Sequence, residues 1–425
     1  MSSDPFASLK PLEPLMDQCV HCGFCLPACP SYVLLGREMD SPRGRIYTMR
    51  AGVEHRVTIS SGVVQHFDTY LGCMACETAC PSGVKYAPLI EQTRAAIEQH
   101  HRRPASERWF RRLLFAVLPY PSRLRALAIP VRLAQQLRRL PSLVNAFPSK
   151  LSALLLLAPT VSFATTQLET PELTPASGSR RLTVGLVTGC VQRAFFGDVN
   201  QATARVLAAE GCEVRTPRAQ GCCGALALHA GEPGVARRFA KALIQVFERE
   251  AVEVIAVNAA GCGSSMKGYG HLFRDDAEWA VRAETFASKV RDVTEVIAGL
   301  GEPRAPRRTM PLKVAYHDAC HLAHAQGVRD QPRAILSSIP GVTIVSIAER
   351  DLCCGSAGIF NLVQPEMATT LGDRKVSHIA DAQPDVVVTS NPGCILQMRS
   401  AAERAGHTFS VRHIIELLDE AIGSR

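Results

Sequence analysis

The chain has 425 residues, 47% hydrophobic and 20% charged, with 16 cysteines and a formal net charge of +8. Such a length exceeds one ordinary core and predicts two or three folded units, and the composition excludes intrinsic disorder. The charge is local: residues 101–150 hold ten arginines and Lys150 against the single acid Glu107, so the rest of the chain is close to neutral.

From Met1 to Lys10 no basic start precedes an apolar run, so no secretory signal is expected and the predicted location is cytoplasmic. In a reducing compartment the cysteines read as metal ligands rather than disulfides. Cys19, Cys22, Cys25 and Cys29 stand in the frame Cys-x2-Cys-x2-Cys-x3-Cys-Pro, the spacing with which bacterial-type ferredoxins hold a 4Fe-4S cubane. The frame returns at Cys73, Cys76 and Cys80, followed by Pro81, with Tyr70 in place of its first cysteine. The fourth cysteine of each frame reaches the other cluster. Cluster I is therefore expected on Cys19, Cys22, Cys25 and Cys80, and cluster II on Cys29, Cys73 and Cys76 with one corner lacking a thiolate. Three thiolates suit a 3Fe-4S cluster, or a 4Fe-4S cluster whose last iron takes water, phenolate or a small molecule. A pair of zinc sites is the competing reading, but the triple Cys-x2-Cys-x2-Cys does not divide into two separated pairs. Arg43 and Arg45 are placed to raise a cluster's potential, or simply to pair with Glu38 or Asp40.

Residues 101–160 interleave arginine with apolar side chains, as in Trp109-Phe110-Arg111-Arg112-Leu113-Leu114, and are cut by Pro119, Pro121, Pro130 and Pro141. Short helices are expected, serving either to dock an anionic membrane surface or an acidic partner or only as a solvated connector. No nucleic-acid motif accompanies the basicity, so no nucleic-acid partner is expected. The uncharged stretch 151–168 is broken by Pro159 and is too short to span a bilayer, so any membrane contact is peripheral. A Thr, Pro and Ser-rich linker is expected over 160–180.

The remainder is a repeat. Cys190, Cys222-Cys223 and Cys262 recur as Cys320, Cys353-Cys354 and Cys394, at offsets of 130, 131 and 132 residues, and glycine follows both pairs. The runs starting at Leu182, Val252, Leu312 and Asp385 read as strands, each closely followed by one of Cys190, Cys262, Cys320 and Cys394. Strands alternating with helical stretches predict open parallel α/β sheets whose sites lie at strand carboxyl ends. The predicted fold is thus mixed: a mainly α-helical two-cluster ferredoxin module over 1–100, a connector and linker over 101–180, and two repeated α/β domains with parallel sheets over 181–305 and 306–425. Cys212 falls outside the motifs and reads as an apolar filler. His317, His321 and His324 flank Cys320, and His229 follows the first Cys-Cys-Gly. Each is placed to ligate a metal, shuttle a proton or hydrogen-bond its loop.

Cys19-Val-His-Cys-Gly-Phe-Cys, Ser41-Pro-Arg-Gly-Arg-Ile-Tyr47, Glu77-Thr-Ala-Cys-Pro-Ser-Gly83, Gly221-Cys-Cys-Gly-Ala-Leu226 and Tyr316-His-Asp-Ala-Cys-His321 together resemble the glycolate oxidase iron–sulfur subunit family, over essentially the whole chain. The resemblance implies an electron-transfer subunit working with FAD-binding glycolate oxidase subunits that convert glycolate to glyoxylate, with quinone or another membrane carrier as outlet. Related subunits act in lactate utilisation, anaerobic glycerol-3-phosphate oxidation and heterodisulfide reduction, so a lactate or glycerol-3-phosphate complex and a heterodisulfide reductase-like catalytic subunit are the alternatives. A metal-bearing scaffold that carries no current is a third. The chain has neither Gly-x-Gly-x-x-Gly after a strand nor a phosphate loop, so it is not expected to oxidise substrate alone and no catalytic residue is assigned. Two departures matter. Tyr70 stands where relatives have cysteine, and Ser265 and Gln397 stand where heterodisulfide reductases carry a fifth cysteine. Each repeat keeps four thiols, Cys190, Cys222, Cys223 and Cys262 or Cys320, Cys353, Cys354 and Cys394, enough for a zinc ion, a cubane or a paired-thiol redox site. Structural cysteines or a reversible disulfide are the alternative.

Overall fold

The computed structural model describes residues 4–127 and 168–423, together with Leu154 and Leu157. Pro130, Pro141 and most of the stretch 151–168 lie outside the described residues.

The N-terminal part is helical, with Pro30–Leu35, Pro42–Val53, Ser61–Asp68 and Tyr86–His100 as its main elements. Proline opens the first two, where its missing N–H costs nothing. Ser41 caps the second by accepting from the Gly44 N–H at 3.0 Å, and Cys29 is the N-cap residue of the first. The Cys-Pro ending of the first motif thus sets a thiol at a helix entrance. Phe6, Leu9, Met16, Ile46, Met49, Phe67, Tyr86 and Leu89 form the module's apolar core, each worth about 1.5–3 kcal/mol of burial.

Two sheets follow. The first comprises β1 (Leu173–Thr174), β2 (Leu182–Val187), β3 (Cys212–Arg215), β4 (Val254–Val257) and β5 (Val290–Asp292), in the order β1-β3-β2-β4-β5. The second comprises β6 (Leu312–Tyr316), β7 (Val342–Val345), β8 (Val386–Thr389) and β9 (Ser410–His413), in the order β7-β6-β8-β9. Apart from β1, which pairs antiparallel with β3 inside the segment read as a linker, every pairing is parallel and the two orders coincide. Both sheets reverse direction at the same place, between β2 and β4 and between β6 and β8. A crevice opens there at the strand carboxyl ends.

The two repeats share one core. The helix after the first strand of each repeat packs on the last helix of the other: Gly197–Ala209 on Ile414–Ile422, and Asp330–Ser337 on Val293–Gly299. Val184, Leu186, Val206, Leu336, Leu417 and Leu418 meet in this pseudo-two-fold seam, and Cys212 is fully buried in it. Polar ties reinforce the seam: Arg205 reaches the buried Asp419 at 2.6 Å, and Arg307 reaches Glu210 at 3.3 Å. His413 closes it, with Nε2 donating to the Asn258 carbonyl at 2.9 Å and Nδ1 accepting from the Ile415 N–H at 3.2 Å.

The basic connector is not merely solvated. In the helix Ala105–Val117, Phe110, Leu114 and Phe115 pack against Leu226 and Ala230 of the first repeat and Ile359 and Leu362 of the second. Arg103 is bound by Asp68, Glu98 and Glu107 at 2.7–2.8 Å, and Arg111 joins the same acids. Trp109, Leu113 and Arg112 face outward. Among the described residues no helix is long and apolar enough to cross a membrane.

His413 has a testable consequence. Burial lowers its pKa from 6.5 to about 4, so between those values the unfolded chain binds the extra proton and stability falls as pH drops. Asp292, at the same place in the first repeat, is raised by burial to about 6 and acts in the opposite sense, so the variant difference isolates His413. His413→Asn keeps a capping side chain without titrating. Its urea-unfolding free energy should fall roughly 1.5–2 kcal/mol less than wild type's between pH 6.5 and pH 5, and parallel curves would refute the assignment.

Candidate iron–sulfur and metal sites

Cys19, Cys22 and Cys25 lie on an irregular loop that His21 (φ 54°) and Gly23 (φ 89°) turn through left-handed conformations. Arg43 holds this loop by donating to the His21 carbonyl at 2.8 Å, while Glu38 pairs with the same guanidinium at 2.6 and 3.1 Å. Both readings of Arg43 therefore meet in one side chain. Cys22 is exposed, with Val20 and Phe24 beside it 69% and 65% exposed. Cys19, Cys25 and Cys80 pack inward with Cys76 and Tyr70. Burial lifts the Cys25 thiol to about 11, helped by Cys29 and Cys19 nearby.

The second set is deeper. Cys29, Cys73 and Cys76 are buried, and burial followed by the neighbouring Cys73 and Cys29 pushes the Cys76 thiol well up. Arg45, fully buried, donates to Ser31 Oγ at 3.2 Å, Thr69 Oγ1 at 2.9 Å and the His66 carbonyl at 2.7 Å, with Asp40 at 3.8 Å. Ser31 Oγ in turn donates to the Asp40 carbonyl at 2.7 Å and lies 3.2 Å from Cys29 Sγ, so the guanidinium stands one side chain away from the thiol. Tyr70 is not poised as a phenolate. Its hydroxyl donates to Met74 Sδ at 3.2 Å, its ring lies 5.4 Å from Tyr86 and 5.1 Å from the Arg94 guanidinium, and burial raises its pKa strongly.

In each repeat the cysteines collect at the sheet reversal. Cys190 and Cys262 follow the adjacent strands β2 and β4, Cys320 and Cys394 follow β6 and β8, and the Cys-Cys-Gly turns come after β3 and β7. The glycines are obligatory: Gly224 (φ 81°) and Gly355 (φ 89°) would each push a Cβ to 2.9 and 2.6 Å from the carbonyls of Ala236 and Ala368. Their N–H groups donate to Cys222 Sγ and Cys353 Sγ at 3.4 Å. Hydrogen bonds from Cys222 and Cys262 hold Cys223 below the ordinary thiol range, and those from Cys353 and Cys394 do the same for Cys354. Only the first turn opens directly into a helix, Ala225–His229.

The histidines separate by role. His317 lies beside Cys354 and Cys394. His321 Nδ1 sits 3.6 Å from Cys320 Sγ; burial lowers the imidazole's pKa, but the charge of Cys320, its hydrogen bond and the charge of Glu91 together raise it. His324 is a tether, 2.8 Å from Thr78 Oγ1 of the helical module. The His229 ring lies tilted beside that of His321 at 5.2 Å, and burial pushes its pKa to about 3.

Sequence reasoning missed the seam between modules. Leu71, Cys73 and Ala75 share one buried cluster with Cys320, Leu352, Cys353 and Phe360. Arg94 donates to the His229 carbonyl at 2.7 Å and to that of Tyr70 at 2.6 Å, and burial raises Glu91, one turn before it, to about 7. The His229 carbonyl lies 135 residues beyond Arg94, and no local pattern announces the pairing.

The thiol sets suit the groups that such spacings hold, because thiolates select iron–sulfur clusters and zinc. A 4Fe-4S dicluster domain model matches residues 15–84, a cysteine-rich domain model matches 184–267 and 314–399, and a model for the linker region of the glycolate oxidase iron-sulfur subunit matches 106–154. The glycolate oxidase iron-sulfur subunit of Escherichia coli (strain K12) is 35% identical over 421 residues, covering 96% of this chain and 95% of that protein. The probable glycolate oxidase iron-sulfur subunit of Bacillus subtilis (strain 168) is 36% identical over 417 residues, covering 96% and 94%. This chain belongs to the glycolate oxidase iron–sulfur subunit family. Lactate utilization protein A of an Exiguobacterium strain is 32% identical over 239 residues, 56% of this chain and 98% of that protein. The family member described here is an iron–sulfur oxidoreductase subunit with a dicluster module and two cysteine-rich repeats.

Tyr70 gives the sharpest test of the inner site. Tyr70→Cys should restore a fourth thiolate, raise anaerobic iron content toward about eight per chain and lengthen the cluster's lifetime in air several-fold. The lost ring costs about 3 kcal/mol of packing, so the readout is the iron count and paramagnetic spectrum. An unchanged spectrum and lifetime would show that the corner at Tyr70 is not a ligand position.

Proposed function

We propose that this chain is the electron-transfer subunit of a glycolate-oxidising complex. FAD-bearing partner subunits convert glycolate to glyoxylate, and the two electrons released pass singly through this chain toward a quinone or another membrane carrier. When bound, the clusters supply one-electron centres whose potentials the surrounding burial and hydrogen bonds adjust. We assign Cys19, Cys22, Cys25 and Cys80 to the outer 4Fe-4S cluster and Cys29, Cys73 and Cys76 to an inner 3Fe-4S or incompletely ligated 4Fe-4S cluster. The eight cysteines of the repeats are candidate metal ligands.

The observation that carries this reading is the unequal burial of the two thiol sets. Cys22 is exposed between Val20 and Phe24, which offers a redox partner a short approach over an apolar contact. Cys73 is buried against Cys320 and Cys353. Current would enter at the outer loop and leave on the side of the second repeat. A groove of about 400 Å³, lined by Pro27, Ala28 and Val33 on one side and Ile347, Arg350 and Leu352 on the other, reaches the neighbours of Cys29 and Cys353 and suits a carrier's approach. The outward Trp109 and Leu113 among arginines suit peripheral contact with an anionic membrane.

The heterodisulfide reductase-like alternative is weakened by the place of the fifth cysteine. Gln397 there donates to the Ala368 carbonyl at 2.7 Å and accepts from Asn361 at 3.3 Å, so the position is committed to holding helices together.

The double variant Val20→Ser, Phe24→Ser tests the inlet. In the assembled complex, reduction of the clusters by glycolate should slow at least tenfold while reduction by dithionite stays unchanged. Equal rates would remove this loop as the docking point, and reduction by lactate or glycerol 3-phosphate in preference to glycolate would reassign the complex.

A further inference from the structure

The two cysteine-rich repeats share a fold but differ around their thiols. Three residues before Cys320 stands His317; three before Cys190 stands Val187. Three before Cys394 stands Asn391, and three before Cys262 stands Ala259. After the first Cys-Cys-Gly comes Ala225, and after the second Ser356. In the second repeat all three polar side chains turn toward one place. The ligand atoms of His317, Cys354 and Cys394 lie within 4.8 Å of one another, and Asn391 Nδ2 and Ser356 Oγ donate to Cys394 Sγ at 3.3 and 3.8 Å. Among the described residues no other three His, Cys, Asp or Glu side chains gather so closely. In the first repeat the matching positions are buried apolar residues.

We propose that the second repeat holds a single zinc-type divalent cation on His317, Cys354 and Cys394, a site that the first repeat does not have. Ligands of one tetrahedral ion, at about 2.0–2.3 Å from it, stand about 3.5–3.8 Å apart, which these atoms reach with small side-chain movements. Terminal thiolates on different irons of a cubane stand farther apart. His317 is 2% exposed, its Nδ1 has no hydrogen-bond partner, and one of its ring nitrogens lies within 4.8 Å of both thiols. The His317 N–H donates to the Val388 carbonyl at 2.8 Å, which fixes its backbone to β8, the strand that leads to Cys394. Asn391 and Ser356 act as second-shell donors to a ligating thiolate. The fourth coordination position falls to the adjacent Cys353 thiol or to solvent.

This inference rests on the reading above only in treating the repeat cysteines as metal ligands. Zinc has no redox chemistry, so the ion would stiffen the wall against which Cys73 packs rather than carry current.

The test uses the full chain purified without oxygen and needs no substrate, so its failure is separable from failure of the glycolate assignment. Wild type should contain about one zinc per chain, with zinc-edge X-ray absorption showing nitrogen together with sulfur. His317→Ala should lose zinc at least fivefold with iron unchanged, which also reports that the clusters and fold survive. His317→Cys should retain zinc with the nitrogen contribution gone. Zinc absent from wild type, an all-sulfur zinc shell, or full zinc in His317→Ala would each overturn the proposal.

Discussion

Thiols buried in apolar surroundings stay protonated unless a cation or a ring of donors neutralises the thiolate, and much of this molecule is arranged around that constraint. Burial pushes Cys25, Cys73 and Cys76 upward. Against it stand the Gly224 and Gly355 N–H groups and the Asn391 amide. Loading such a site releases protons and adds its binding energy to folding. The Cys-Cys-Gly turns depend on glycine as well, because a Cβ at Gly224 or Gly355 would meet the carbonyl of the facing helix.

The repeats show how one scaffold accommodates unlike chemistry. Strand order, sheet reversal and Cys-Cys-Gly turn are common to both, because they follow from parallel crossover geometry and from two glycine positions that tolerate no Cβ. The polar side chains around the thiols sit on that frame without supporting it, so Val187, Ala225 and Ala259 could diverge from His317, Ser356 and Asn391 without disturbing the sheet. Across the pseudo-two-fold seam each repeat covers an apolar helix face of the other.

The helical module then closes on both repeats at once. Arg94 holds the first through the His229 carbonyl, and Thr78 and Cys73 meet the second through His324 and Cys320. Cys22 of the outer thiol set is left exposed, while Cys73 of the inner set is sealed against the second repeat.

The cysteine spacings, the Tyr70 departure and the repeat were legible in the chain because ligand geometry forces short fixed intervals and because duplication preserves offsets. Strands β2, β4, β6 and β8 were legible for a related reason: mostly buried, they are short runs of apolar and β-branched residues. Strands β3 and β9 mix polar and apolar residues, and β7, β-branched throughout, is a four-residue half-buried edge strand. Tertiary structure alone decided that His317 belongs with Cys354 and Cys394, that His324 is a tether, that Arg103 and Arg111 are neutralised by acids of the first module, and that Cys73 faces Cys320. Each of those depends on side chains brought together from distant positions by packing, and packing leaves no fixed interval in a sequence.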